Sequence, residues 1–429
     1  MLKQIFIQLW NRRKANAWIL VELLLVFCLM WYVVDYFCVL GYNRSLPSHR
    51  NLDHTWRVVV DLLPEEAPDY KPGESDSTAL EKNYERILDR ISRYKDVESY
   101  TVTHQANSPG DGGMNSYPYR NRQDTSLTGQ IVTLSFDYRT DYFQVFRYTT
   151  PEGKPVSLKD FDWSGPHDVV ICGLTGKTFF PGQNPVGRVL ENVNLPDEYM
   201  QVKGVVGQIK RFDYERPFMC AYKPVRLDAG NIMDMEIAVR SRESVSDVNF
   251  LEAFKEAMKH ELRIGNFYLY NVQSYNDRMD YQDVAFGMTR DIQIRESMML
   301  FFLVNTILCV IGTFWYRIRV RRGEIGLRMA MGSSRAGIRR LFIEEGLCLL
   351  AVVTLPALFI EVQFVYAGLI ETLGQYKDNM GYLPDKIIVR FILTNCLTWL
   401  ILAVAIVVAI WLPAGKAANL APADALHYE

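Results

Sequence analysis

The chain has 429 residues, 49% of them apolar, yet its mean hydropathy is −0.04. That near-zero average combines four very apolar runs with one long polar stretch. The net charge of −2 is also uneven: residues 41–295 carry −6 and residues 317–340 carry +7. This asymmetry points to membrane topology and away from nucleic acid.

In chain order, a basic N-terminus (1–16; Lys3, Arg12, Arg13, Lys14) precedes the first apolar run, Ala17–Leu40. A helix needs about 20 apolar residues to cross the hydrocarbon layer, so this run predicts a span. It is too long and too aromatic for a secretion signal. Residues 41–295 follow as a folded domain. Trp56–Leu62 alternates like a strand, Leu80, Tyr84, Ile87, Leu88 and Ile91 recur at helical spacing, and Ser99–His104 reads as a second strand. The pattern returns late, with strand Met235–Arg240, a helix carrying Val248, Leu251, Phe254, Met258 and Leu262, and strand Phe267–Val272. Two such units predict a split β-α-β subdomain (41–104 and 231–273). Between them, 105–230 predicts an inserted β-rich subdomain. Its expected strands are Gln130–Phe136, Tyr142–Tyr148, Val169–Gly173, Met200–Val206 and Phe218–Tyr222, with a loop at 108–113. Residues 274–297 predict a stalk helix running straight into the second span, Met298–Tyr316. The third span is expected at Leu347–Ile370, with Pro356 inside, and the fourth at Ile388–Leu412. The predicted fold is therefore an α-helical membrane protein with four transmembrane helices and an α+β extracytoplasmic domain.

The basic flanks set the orientation. Both termini (1–16 and 413–429) and the connector 317–346 are expected in the cytoplasm, and 41–295 and the loop 371–387 outside. Glu22 and Glu361 fall within spans, where a charge is costly. They read as protonated or paired carboxyls at helix contacts in preference to a proton relay.

Chemical motifs are sparse. The run 173–178, GLTGKT, ends like a phosphate-binding loop, but position 171, where that motif needs glycine, is Ile171. It predicts a turn after a strand. The six histidines are scattered without metal-ligand spacing. No spacing singles out a catalytic pair, so an enzyme is not expected, nor a metal or cofactor. Of seven cysteines, only Cys172 and Cys220 lie well inside the polar stretch. They can pair as a disulfide in an oxidising compartment or stand as two buried free thiols.

The connector is the most distinctive stretch. Its arginines can snorkel to lipid phosphates. Gly332-Ser333-Ser334 predicts a break with an N-cap serine opening a second helix, Arg335–Ile343. Small residues at Ala330 and Gly332 allow close backbone approach. A short helix-break-helix between spans suits docking in a partner's cleft, and a membrane-surface helix fits the same residues.

Glu324-Ile325-Gly326-Leu327-Arg328-Met329-Ala330-Met331-Gly332-Ser333-Ser334-Arg335 resembles the E-I-G-[IL]-R-x-A-[LM]-G-[AS]-[SR]-R signature of MacB/FtsX-type ABC transporter permeases. Glu344-Glu345-Gly346 resembles the acidic element that opens their next span. Pro413 to Leu426 is similar to their terminal P-A-x-x-A-A-x-x-x-P-x-x-A-L, and 184–188 and 202–207 resemble landmarks of the MacB-like periplasmic core domain. The resemblance implies a dimer, homodimeric or with a paralogous permease, in a bacterial inner membrane. It implies a separate cytoplasmic ABC ATPase, which binds the ATP and Mg, since this sequence has no ATPase signature. It also leaves room for a periplasmic adaptor. Under it, Glu324, Ile325, Gly326, Arg328, Ala330, Gly332, Ser334 and Arg335 are the ATPase-coupling residues. The expected function is permease-mediated coupling of ATP hydrolysis to extracytoplasmic mechanical work, or to export of a peptide, antibiotic or lipoprotein. The alternative is a non-transporting regulator of a cell-wall hydrolase.

Overall fold

Helix α1 (Arg13–Ser45) is apolar on every side, as a bilayer-crossing helix is. The computed structural model describes residues 13–104, 108–110, 115–195, 197–370 and 383–418. The rest of the basic N-terminus, most of loop 371–387 and the tail beyond 418 lie outside them. Within these bounds the chain makes a sheet domain from Asn43 to Met288, and a helical unit from the described residues before and after it.

The sheet domain begins as the alternation predicts. Strand β1 (Thr55–Leu62) leads to α2 (Ser77–Ser92), which buries Tyr84, Ile87, Leu88 and Ile91, and then to β2 (Val97–His104). The insert follows as β3 (Ser116–Asn121), β4 (Thr128–Asp137), a one-turn helix α3 (Tyr142–Val145), β5 (Asp168–Cys172), α4 (Gly173–Phe179), β6 (Val189–Asn192), β7 (Tyr199–Val206) and β8 (Cys220–Val225). The first unit is then completed by β9 (Met235–Ser241), α5 (Asp247–Glu261) and β10 (Phe267–Ser274).

The strand order β10-β1-β9-β2 is antiparallel throughout, the arrangement of a split β-α-β unit. The insert continues the order as β4-β3-β6-β7-β5-β8, and a parallel β4–β8 pairing closes these six strands into a ring. Closure leaves the insert no free edge. The halves keep separate cores: Trp56, Ile87, Ile237, Phe254 and Phe267 in one, Ile131, Phe143, Ile171, Leu190 and Tyr222 in the other.

Several expectations need correction here. Residues 142–148 are not a strand. The Asp141 side chain accepts from the Gln144 N–H at 3.1 Å and caps a helical turn, so capping overrides the aromatic and β-branched composition. GLTGKT is helix α4 and not only a turn. On α5, Val248 points to solvent (68% exposed) while Phe250 is buried.

The predicted stalk is two helices. α6 (Tyr275–Ala285) ends before Gly287, whose φ of +77° breaks the run, and α7 (Met288–Val320) carries the remainder into the second span. A short helix α8 (Arg322–Ala330) follows. Helix α9 (Arg335–Tyr366) then fuses the expected second connector helix with the third span, ending four residues before the expected limit. Helix α10 (Ile387–Ala418) is the fourth. Among the described residues, four helices are thus long and apolar enough to cross a membrane. Within the helical unit, Phe27, Val310, Phe314, Phe342, Leu350 and Ile406 pack in a shared core.

Candidate functional site

The connector is short because both ends are fixed locally. The N–H of Gly332 bonds to the Met329 carbonyl at 3.0 Å, and that of Ser333 to the Arg328 carbonyl at 2.9 Å. This Schellman closure of α8 needs a left-handed residue, and Gly332 supplies it with φ of +93°. Two residues later the Ser334 hydroxyl accepts from the Gly337 N–H at 3.1 Å and opens α9 as the predicted N-cap.

Charge pairs hold α8 in place. The Glu345 carboxylate, on α9, accepts from Arg317 at 2.7 Å and from Arg321 at 2.8 Å. Arg321 also bonds Glu324 through Nε (2.8 Å) and Nη2 (3.1 Å), and Glu324 pairs with Arg328 at 2.8 Å. The end of α7, the whole of α8 and the start of α9 are thereby tied through two carboxylates and three guanidiniums. The Arg321 guanidinium also lies 5.6 Å above the Phe342 ring. Such interlocked, largely buried pairs constrain geometry more strongly than exposed ones.

The residues singled out in the sequence therefore split into two sets. Glu324, Ile325, Gly326 and Arg328 face inward or into the pairs, and Ile325 packs in the helical core. Ala330, Gly332, Ser334 and Arg335 are exposed at the tip. Two further exposed residues, Leu327 (53%) and Met331 (71%), give this tip an apolar surface. Their one-sided exposure was hidden in the sequence because the apolar positions 325, 327, 329 and 331 form no single helical stripe. Arg317, Arg321 and Glu345 were also missed as a unit, since 24 to 28 positions separate the partners.

The carboxyls within the spans have found partners or burial. Glu22 accepts from the Cys309 thiol on α7 at 2.6 Å. Glu361 is fully buried with Asn395 beside it, and neither of its oxygens has a hydrogen-bond partner among the described residues. Sequence reasoning overlooked a third carboxylate. Asp35 on α1 accepts from Arg390 Nε at 2.8 Å and Nη2 at 2.5 Å, and both residues are buried. Trp31 adds a bond from its indole N–H to the Thr394 hydroxyl at 2.9 Å. The buried basic group on α10 thus serves Asp35.

Cys172 and Cys220 stand side by side on β5 and β8, where the Cys220 N–H lies 3.4 Å from the Cys172 sulfur. Both are buried, and both stand as free thiols in this structure. Among the described residues, no group of acidic, histidine or cysteine side chains is placed to hold a metal.

Residues 296–422 match the FtsX-like permease C-terminal family. The chain is 26% identical over 302 residues to the macrolide export ATP-binding/permease proteins MacB 1 of Yersinia pseudotuberculosis and MacB 2 of Yersinia pestis. The match takes in 67% of this chain but 42% of those relatives, so the chain spans about two fifths of their length. Among solved structures, the periplasmic region of MacB from Actinobacillus actinomycetemcomitans matches with a TM-score of 0.28 and 11% identity, over 54% of this chain and 93% of that one. The extracellular domain of the transporter YknZ from Gram-positive bacteria matches with 0.28 and 12%, over 51% and 100%. Among the described residues four helices are of membrane length, an α/β domain lies between the first and second in the chain, and the last three fall within the FtsX-like match, so the chain carries an FtsX-like permease domain and is similar to permeases of the MacB/FtsX type.

Proposed function

We propose that the chain is the membrane subunit of an ABC system and that the tip of its connector is the docking point for a cytoplasmic ATPase. The observation that carries this reading is the build of the connector. An apolar tip at Leu327 and Met331 stands on a helix that charge pairs anchor to its two neighbouring spans. A docking surface on so rigid a base moves those spans when it is pushed, whereas a loosely held surface helix would absorb the push itself. In this reading the ATPase closes, the spans shift, and the sheet domain does mechanical work outside the cytoplasm on a peptide, antibiotic or lipoprotein. The relatives' name, macrolide export, supports an antibiotic among these. The termini and connector are then cytoplasmic, the subunit works as a dimer, and ATP and Mg belong to the partner.

Affinity capture of the full-length protein from its native membrane tests the reading. An ABC ATPase is expected to co-purify, and Met331→Asp, Leu327→Asp or Gly332→Trp to reduce its recovery roughly tenfold or more, as loss of a central interface contact does. Unchanged ATPase recovery and unchanged ATP turnover in all three variants would remove the connector from the coupling role.

A further inference from the structure

One loop of the sheet domain is built unlike its neighbours. Gly207–Met219 joins β7 to β8, and four of its five charged side chains are turned inward. Lys210, Arg211, Glu215 and Arg216 are all less than a tenth exposed, where charged loop residues ordinarily face water. A buried lysine needs acceptors for its ammonium. Lys210 finds them in the carbonyls of Asn43 (3.2 Å) and Arg44 (3.4 Å), with Asp213 completing the set at 3.1 and 3.3 Å. Those two carbonyls belong to the last turn of α1, where a helix lacks its i+4 donors, and that of Asn43 also accepts from the Leu46 N–H at 3.2 Å. The loop is thus a cap supplied from more than 160 positions away.

The same stretch of chain is gripped at further points. The Asn43 amide donates to the Tyr214 carbonyl at 2.9 Å, Arg44 pairs with Asp213 at 3.2 Å, the His49 N–H donates to the Gln208 carbonyl at 2.9 Å, and Arg50 donates to the Lys210 carbonyl at 2.9 Å. On its other side the loop meets the second helix exit. The Phe212 ring packs edge-on against Phe286 at 5.7 Å, and the Arg211 guanidinium lies 5.9 Å above it. Phe286 closes α6 immediately before Gly287 and α7. All of these residues lie within the sheet domain.

We infer that Gly207–Met219 is a clamp that fastens the end of α1 and the start of α7 to strands β7 and β8, so that displacement of either membrane helix is delivered to the strand ring. Lys210 and Phe212 are its two grips, acting as positioning residues. This deepens the reading of the helical unit as a moving part, and rests on it. Nothing in the clamp depends on which protein drives the movement.

The test therefore leaves the ATPase out. The full-length protein is placed in short-chain and in long-chain phosphatidylcholine bilayers, whose thickness changes the tilt of spanning helices. Backbone hydrogen exchange is then followed by mass spectrometry. In the unaltered protein, exchange in the loop and in β8 is expected to differ several-fold between the two bilayers. Lys210→Met is expected to speed exchange in the last turn of α1 roughly tenfold, as loss of a charge-assisted bond does. It is also expected to abolish the bilayer response of β8 while that of α7 remains. Lys210→Arg restores the donors and the response, and unchanged protection of β9 and α5 shows that the variants are folded. Phe212→Ala is expected to weaken the response independently. A β8 response that survives in the Lys210→Met, Phe212→Ala double variant overturns the clamp, and so does its absence in the unaltered protein. Failure to capture an ATPase would leave either result standing.

Discussion

Replacing Glu345 by glutamine tests whether the connector is held as described. The change keeps the shape and removes the negative charge that two arginines share. Two charge-assisted bonds are weakened, each worth about 1.5–3 kcal/mol. Breaking one side of a buried ion pair costs about 3–5 kcal/mol in all. The side chains here are 6–12% exposed, and glutamine keeps one acceptor oxygen, so about 3 kcal/mol is the reasoned figure for local opening of α8. At 1.4 kcal/mol per tenfold, that is roughly 100-fold faster amide exchange. Hydrogen exchange of residues 323–331 in the full-length protein in bilayers reads it directly. Arg321 keeps Glu324, so the opening is expected to start from the α9 side of the connector. An increase below about threefold in the connector amides would refute the reasoning, since it would fall within the range of an exposed surface pair.

Three more outcomes follow from particular contacts. Burial lifts the Glu215 carboxyl to about 7, against the pull of Arg211 and with help from Asp283. The folded state therefore keeps a proton that the unfolded chain releases near pH 4.3, and stability is lost as pH rises from there toward 7, by up to about 3 kcal/mol. Glu215→Gln is expected to flatten that slope in thermal melts of the sheet domain; an unaltered slope refutes the assignment. At Gly346 an added Cβ would meet Ile410 and come within 2.9 Å of Ile406. Gly346→Leu should cost about 1–3 kcal/mol by overpacking, read as a lower melting midpoint in detergent, with Gly346→Ala milder. Asp35→Asn removes the carboxylate charge that accepts two bonds from buried Arg390 and should destabilise the helical unit by about 3–5 kcal/mol. Asp35→Asn combined with Arg390→Met should recover most of it, and a double variant no better than the single one would refute the pairing.

Much of the architecture was legible because it rests on local periodicity. Four long apolar runs gave the four helices, and the two alternating-then-helical units gave β1-α2-β2 and β9-α5-β10. What depends on distant partners was not legible. Asp35 and Arg390 are 355 positions apart, and single charges vanish in the average hydropathy of a long span. The ring closure through β4 and β8 is a parallel pairing with no local signature. In α5 the helical period was right but its phase was wrong at one position, since Val248 and Phe250 differ in sequence only by size and shape. At the connector, the sequence marked the right segment and the structure divided it into an anchor and a tip. The clamp loop was invisible for a plain reason: a run such as Lys210-Arg211-Phe212-Asp213 reads as solvent-facing until its acceptors are known.

Among the described residues, the ladder joining the two halves of the sheet domain is narrow: β2 and β4 meet through one residue pair, Thr103 with Phe136, whereas β2 and β9 are in register over seven. A bending load concentrates where the cross-section is least, so the domain should yield along this seam before either half distorts. The Thr101 and Thr140 hydroxyls, bonded at 2.8 Å, and the bond from Arg240 to the Val145 carbonyl at 2.6 Å cross the seam and would act as its return spring. Structures of this protein caught in different states should therefore superpose well over each half taken alone and poorly over both together.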